Sequence, residues 1–265
     1  MARQHDYQTV LITGASAGIG SELAKVFAAH DFDLVLVARS KDKMQKLARE
    51  IKTTHGVEVT VIAMDLLGQG AAQELYETVQ EENLSIDVLV NNAGLLSFGG
   101  FKDMALEEIE NIIQLNLMVL TQLTHLFIQD MVAQGAGKIL NVASLGGFQP
   151  VPSLAAYAAG KAYVLSLTEA LSEELRGTGV TLTALCPGLT DTDMVHSAET
   201  NSNLAAPSVF LMTPEEVARD GYKACMSGQV IKVPGLANQA SANWVRMQPR
   251  WLVRRLGGLF ARQVI

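Results

Sequence analysis

Ser144, Tyr157 and Lys161 stand in the order S-x12-Y-x3-K, and together they can move a proton. A phenol can hand its proton to an oxygen that is gaining negative charge, but its ordinary pKa of about 10 makes it a poor acid–base group near neutrality. Lys161 lies four residues beyond Tyr157, on the same face of a helix. Its charge is expected to favour the tyrosinate and draw that pKa towards the working pH, where proton exchange is efficient. Ser144 can hold the reacting oxygen by a hydrogen bond where charge builds up. Taken singly, each has an ordinary reading: a turn serine, a half-buried helix aromatic, a solvated charge.

A second group of residues fits an anion. Thr13-Gly14-Ala15-Ser16-Ala17-Gly18-Ile19-Gly20 closes the first apolar strand and opens a helix. Glycines here permit a tight turn and close approach to a pyrophosphate, and the helix start offers N–H groups and a positive dipole end. The spacing is G-x3-G-x-G, not the common G-x-G-x-x-G, and a glycine loop alone also suits an ordinary strand–helix turn. Further along come Asn91-Asn92-Ala93-Gly94 after the fourth strand and Asn116 in the next helix. Ser144 follows the fifth strand, and Pro187-Gly188-Leu189-Thr190-Asp191-Thr192 follows the sixth. With T-G-x3-G-I-G, N-N-A-G, S-x12-Y-x3-K and P-G-x3-T in this order, the chain resembles the short-chain dehydrogenase/reductase family over about residues 7–235.

The resemblance implies an NAD(P)-dependent Rossmann fold and a catalytic set of Asn116, Ser144, Tyr157 and Lys161. It implies that Lys161 also holds the nicotinamide ribose and that Asn116 holds a water relaying protons to Lys161. It places Gly14, Ser16, Gly18, Ile19 and Gly20 at the phosphates and Asp65 at the adenine. Asn91, Ala93 and Gly94 would line the adenosine end, and Pro187, Gly188 and Thr192 the nicotinamide or phosphates. Ala38 ends the second strand where NAD-preferring relatives would have an acid for the ribose hydroxyls. Arg39 follows, with a charged planar fork suited to a 2′-phosphate, so NADP is the expected cofactor. The expected activity is hydride transfer between NADP and a carbonyl or secondary alcohol, with Tyr157 as general acid and base. The alternative is an NADP-binding sensor or membrane-associated scaffold without turnover.

These residues need a scaffold, and the periodicity supplies one. Short β-rich runs at 9–13, 33–38, 57–64, 86–91, 138–142, 180–186 and 230–233 alternate with helical patterns near 19–30, 41–55, 70–83, 105–133, 152–176 and 214–226. Runs such as Leu34-Val35-Leu36-Val37 are apolar throughout, as strands covered on both faces are. The pattern predicts an α/β fold, a doubly wound parallel sheet of about seven strands, with ligands at the carboxyl ends of the strands. The 265 residues are expected to form one domain, with a substrate lid at 193–213 and a C-terminal extension at 241–265.

Composition narrows the function. Hydrophobic residues are 49% and charged residues 18%, which excludes a disordered chain. A net charge of −7 disfavours nucleic acid as a partner. Cys186 and Cys225 read as reduced core thiols, and the five histidines lack metal-ligand spacing, so no metal is expected. No signal peptide and no run approaching ~18 consecutive apolar residues is evident, so a cytoplasmic protein is expected.

Pocket walls are expected from residues 95–98, 145–150 and 193–213, which carry Phe98, Phe148, Val195, Phe210, Leu211 and Met212 but neither Arg nor Lys. A small apolar carbonyl or alcohol suits them better than an acid needing a charged clamp. Residues 244–265 hold Arg246, Arg250, Arg254, Arg255 and Arg262 and no acid; with these five set aside, the −7 becomes −12 for the rest. A helix from Pro249 would be amphipathic, with Leu252, Leu256, Leu259 and Phe260 on one arc. Docking on the fold or a sister subunit, burying Trp244, Met247, Trp251, Leu256 and Leu259, is the favoured use; weak contact with a membrane surface is the other. By resemblance, the helices near 105–133 and 152–176 would pair subunits into a homodimer or homotetramer, helped by Ala155, Ala156, Ala158, Ala159 and Gly160.

Overall fold

The computed structural model describes residues 8–192 and 211–261. In these, seven parallel strands form one sheet in the order β3-β2-β1-β4-β5-β6-β7. The strands are β1 Thr9–Thr13, β2 Asp33–Ala38, β3 Val59–Ala63, β4 Val88–Asn91, β5 Gly137–Val142, β6 Val180–Leu185 and β7 Ile231–Lys232. The helices are α1 Gly18–Ala28, α2 Lys41–His55, α3 Ala71–Glu81, α4 Leu106–Ile113, α5 Leu120–Gln134, α6 Ala155–Glu174, α7 Pro214–Ser227, α8 Leu236–Met247 and α9 Arg250–Ala261. Strands three, four and seven are shorter than the apolar runs that mark them.

The alternation of side chains along a strand builds two cores. Val10 and Ile12 turn to one face with Leu34 and Leu36, against Leu23 and Phe27 of α1, Met44 and Ile51 of α2, and Val217 of α7. Leu11, Val35 and Leu89 turn to the other face, against Leu75 of α3 and Phe127 and Met131 of α5. Phe27 and Phe127 are among the largest fully buried side chains, and truncating such a residue to alanine costs roughly 3–5 kcal/mol. Sequence order reverses between β1 and β4, so the chain leaves these neighbouring strand ends in opposite directions and opens a crevice.

α4 and α5 join through a π-helical segment, Gln114–Val119, into one helix from Leu106 to Gln134. The helix is 29 residues long and an 18-residue stretch of it has a mean hydropathy of 1.3, which would suffice, by length and composition, to cross a membrane. Here Val119, Leu123, Phe127 and Met131 cover the sheet. The amphipathic spacing spreads this apolar character through the helix, with no single run to mark it.

The C-terminal extension differs from its sequence reading. One helix from Pro249 was expected, but two are present. Gln248, which precedes Pro249, takes ψ 148 and ends α8, because proline excludes the helical conformation from the residue before it. Of the expected lid, only residues 211–213 lie among those described, so Val195 and Phe210 fall outside. Met212 donates to the Leu189 carbonyl and its own carbonyl accepts from Asp191, both at 3.0 Å, so the chain re-enters beside the point where it left.

Candidate active site

A cleft of about 320 Å³ runs along the carboxyl ends of the strands. At one end the Thr13 hydroxyl sets the loop: it donates to the Val90 carbonyl and accepts from the Asn92 and Ala93 N–H groups, the latter two at 3.0 Å. Gly14 (φ 67) and Gly18 (φ 58) are left-handed, and a Cβ on Gly14 would lie 2.9 Å from the Ala93 Cα. The start of α1 has no side-chain cap and no acid in its first turn. Its free N–H groups and positive dipole end therefore face the cleft, which fits a diphosphate. Ser16, Gly18 and Ile19 line the cleft here, with Thr192 across from Gly18. Gly20 does not line it; its missing Cβ would fall 2.4 Å from the Gly14 carbonyl oxygen, so its role is to let α1 pack on the loop.

The cleft continues past Ala38, Arg39 and Ser40 to Asp65. Arg39 is exposed and makes no ion pair among the described residues. The Asp65 carboxylate accepts from the Leu67 N–H at 3.1 Å, which shapes the loop after β3. Ala93, Gly94, Pro187 and Gly188 are also in the walls.

Ser144, Tyr157 and Lys161 meet at the other end. Ser144 follows β5 and its Oγ accepts from the Gly146 N–H at 3.0 Å. Tyr157 is in the first turn of α6, and Lys161 lies one turn on with Nζ 5.6 Å from the Tyr157 ring centre. Lys161 is buried and donates to the Val142 carbonyl at 2.7 Å. Burial lowers its pKa to about 8. Burial also raises the Tyr157 pKa, and a hydrogen bond with Ser144 opposes this. The expected downward pull of Lys161 on Tyr157 is thus not found: desolvation of the phenol dominates and holds it neutral. Burial also pushes the Cys186 thiol up to about 12, so it stays protonated beside Lys161.

Two asparagines are placed differently from expectation. Asn91 does not line the cleft. Its Nδ2 donates to Thr124 Oγ1 and Asn141 Oδ1, and Asn141 donates on to Thr168 of α6, all at 2.9–3.0 Å. The strand alternation turns Asn91 inwards and its neighbour Asn92 towards the loop, where Asn92 Nδ2 donates to the Thr13 carbonyl at 2.9 Å. Asn116 sits in the π-helical segment, and its amide is spent on Leu95, accepting from its N–H at 2.7 Å and donating to its carbonyl at 2.8 Å. One Nδ2 hydrogen, one Oδ1 lone pair and the backbone are what Asn116 still offers a relay water. Gly160, expected between subunits, also packs closely within the chain, where its Cβ would come 2.7 Å from the end of the Leu117 side chain.

Residues 8–203 match the family model for short chain dehydrogenases. The chain belongs to the short-chain dehydrogenase/reductase family. It is 34% identical to the ketoacyl reductase HetN of Nostoc sp. over 219 residues, 82% of this chain and 75% of that one. It is 30% identical to a 7beta-hydroxysteroid dehydrogenase of Collinsella aerofaciens, with 88% of each chain covered. The solved structure of a short-chain dehydrogenase from Sphingobium yanoikuyae in complex with NADPH superposes with a TM-score of 0.81 at 33% identity, over 90% of this chain and 93% of that one. Family membership makes the chain an oxidoreductase with a nicotinamide cofactor on a Rossmann fold.

Three residues at or behind the cleft were given no role from the sequence. Asn92 was half visible, as the second member of the N-N-A-G doublet. Arg246 of α8 reaches the substrate side, with its guanidinium 5.7 Å from the Phe148 ring centre. Asn238 of α8 lies behind Gly188, whose Cβ would fall 2.6 Å from its Oδ1; both amide atoms are buried without a hydrogen-bond partner among the described residues. Neither Asn238 nor Arg246 carried a signal, because only docking of α8 brings them there.

Proposed function

We propose that this family member is an NADP-dependent oxidoreductase interconverting a carbonyl and a secondary alcohol on an apolar substrate, with Tyr157 as general acid and base. The observation that carries the reading is the convergence of Ser144, Tyr157 and Lys161 on one cleft with the glycine loop and Arg39. Bound there, NADPH supplies a hydride to the carbonyl carbon. The loop from Gly14 to Ile19 holds the diphosphate at the start of α1, and Lys161 holds the nicotinamide ribose. Arg39 takes the 2′-phosphate with a charge-assisted pair. Ser144 donates a hydrogen bond to the carbonyl oxygen, and Tyr157 gives that oxygen its proton as the alkoxide forms. The raised pKa keeps the phenol protonated at neutral pH, as reduction requires; alcohol oxidation needs the tyrosinate and gains at higher pH.

The residues at 95–98 and 145–150 bring no cation to the substrate, and Arg246 lies against Phe148. Relatives named as a ketoacyl reductase and a 7beta-hydroxysteroid dehydrogenase support a carbonyl or secondary alcohol as the reacting group. Ile113, Met118, Val132 and Tyr163 leave an exposed apolar face on the α4–α5 helix and α6, which supports a homodimer or homotetramer. Turnover of a panel of apolar ketones and aldehydes, followed by NADPH absorbance, tests the reaction. Tight NADPH binding with no turnover across the panel and a metabolite extract would replace it with the sensor reading.

A further inference from the structure

α8 and α9 each have two unlike sides. The inner side is docked: Ala242, Val245 and Val253 are buried, and Gly257 approaches Pro152 so closely that a Cβ would lie 3.3 Å from its Cδ. Of the large apolar residues expected to make this contact, Leu256 is half-buried, but three face outwards. Met247 is 81% exposed, Trp251 54% and Trp244 48%. On α8, Leu236, Ala240, Asn243 and Met247 follow at i, i+4, i+7 and i+11 and form one outward stripe, with Trp244 beside it. On α9, Arg250, Arg254 and Arg255 are exposed with Trp251, and the Arg255 guanidinium is 5.8 Å from the Trp251 ring centre.

This outer surface combines indoles, a thioether and arginines, and residues 244–265 contain no acid, although the rest of the chain is strongly acidic. Pairing with a second copy about a two-fold axis would set the same patch against itself and oppose arginine to arginine. An anionic bilayer suits both properties, offering an apolar bed at headgroup depth and a negative surface potential. We propose that α8 and α9 form a peripheral membrane-binding surface, with Trp244, Met247 and Trp251 entering the headgroup region and Arg250, Arg254 and Arg255 on lipid phosphates. This goes beyond the proposed reaction, and its test needs no turnover.

Trp244 and Trp251 are the only tryptophans in the chain, so selectively excited tryptophan emission of the intact protein reports on this surface. Vesicles of phosphatidylcholine containing phosphatidylglycerol are expected to shift the emission to the blue, with quenching by brominated acyl chains. Pure phosphatidylcholine should leave it unchanged, and high salt should reverse the shift as the charges are screened. The double variant Arg250→Gln/Arg254→Gln changes only exposed side chains. It should weaken partitioning roughly thirty-fold, two charges' worth of surface attraction, with unchanged melting and unchanged NADPH binding. Emission unmoved by anionic vesicles would overturn the proposal, as would equal binding to neutral ones. A lipid-free blue shift that reverses on dilution would also overturn it, by assigning the surface to a second copy.

Discussion

The two ends of the cleft are built by different means. At the glycine-loop end, the geometry is set by backbone: Gly14 and Gly18 in left-handed conformation, an uncapped helix start, and Thr13 accepting from the N–H groups of Asn92 and Ala93 just past β4, its neighbour in the sheet. At the substrate end, Phe148 meets Arg246 and Gly188 meets Asn238, contacts that exist only once α8 has docked from far along the chain. The contrast separates a backbone-defined half, suited to an invariant cofactor, from a half defined by tertiary packing, suited to a variable substrate. Between them, Tyr157 and Lys161 face both.

The largest effect should come from the junction. Tyr157→Phe keeps the ring but removes the proton donor, so turnover should fall by roughly 10²–10⁴-fold while NADPH binding persists. Near-normal turnover would break the assigned chemistry. Next comes the backbone-defined half. Arg39→Ala should weaken NADPH binding roughly ten- to hundred-fold and leave NADH little changed, because only NADPH carries the 2′-phosphate. Equal losses for both cofactors would show that Arg39 does not read the phosphate.

A pH titration of NADPH affinity sharpens the junction further. Lys161 has a pKa of about 8 in the free protein, and a bound anionic cofactor favours its charged form. Affinity should therefore be flat below pH 8 and fall above it, by at most about tenfold per pH unit. Lys161→Met should bind more weakly and lose this slope. A slope that survives the substitution would assign the titration to another group.

The smallest effect should come from the docked half. Ending the chain after Met247 removes α9, which lies against Pro150 and Pro152 at Gly257 and buries Val253. Each lost kcal/mol should lower the melting temperature by about 2–4 °C in a chain of this size. KM for the carbonyl substrate should change more than NADPH affinity. Equal changes in both would erase the distinction between the halves.

Legibility in the sequence follows the same division. The parallel sheet, its strand order of motifs and the Ser144–Tyr157–Lys161 set were readable because short periodicities and fixed spacings encode them. Asn91 was misplaced by one residue, and in a strand one residue inverts the direction of the side chain. The sign of the Tyr157 shift was misread because desolvation depends on packing and Coulomb attraction can be argued from spacing. α8 was missed because its buried face is made of Asn238, Ala242 and Val245, a weak apolar signal, while its strongest apolar residues face outwards.

The short parallel bridge between Thr190 and Met212 has an evolutionary consequence. It fastens the scaffold on both sides of residues 193–210, so whatever lies between is a cassette spliced into a closed frame. Lengthening such an insert is cheap, since doubling a flexible loop adds only about 0.6 kcal/mol. Cassettes of other lengths and compositions can therefore be exchanged here while β6, α7 and the cofactor half keep their register.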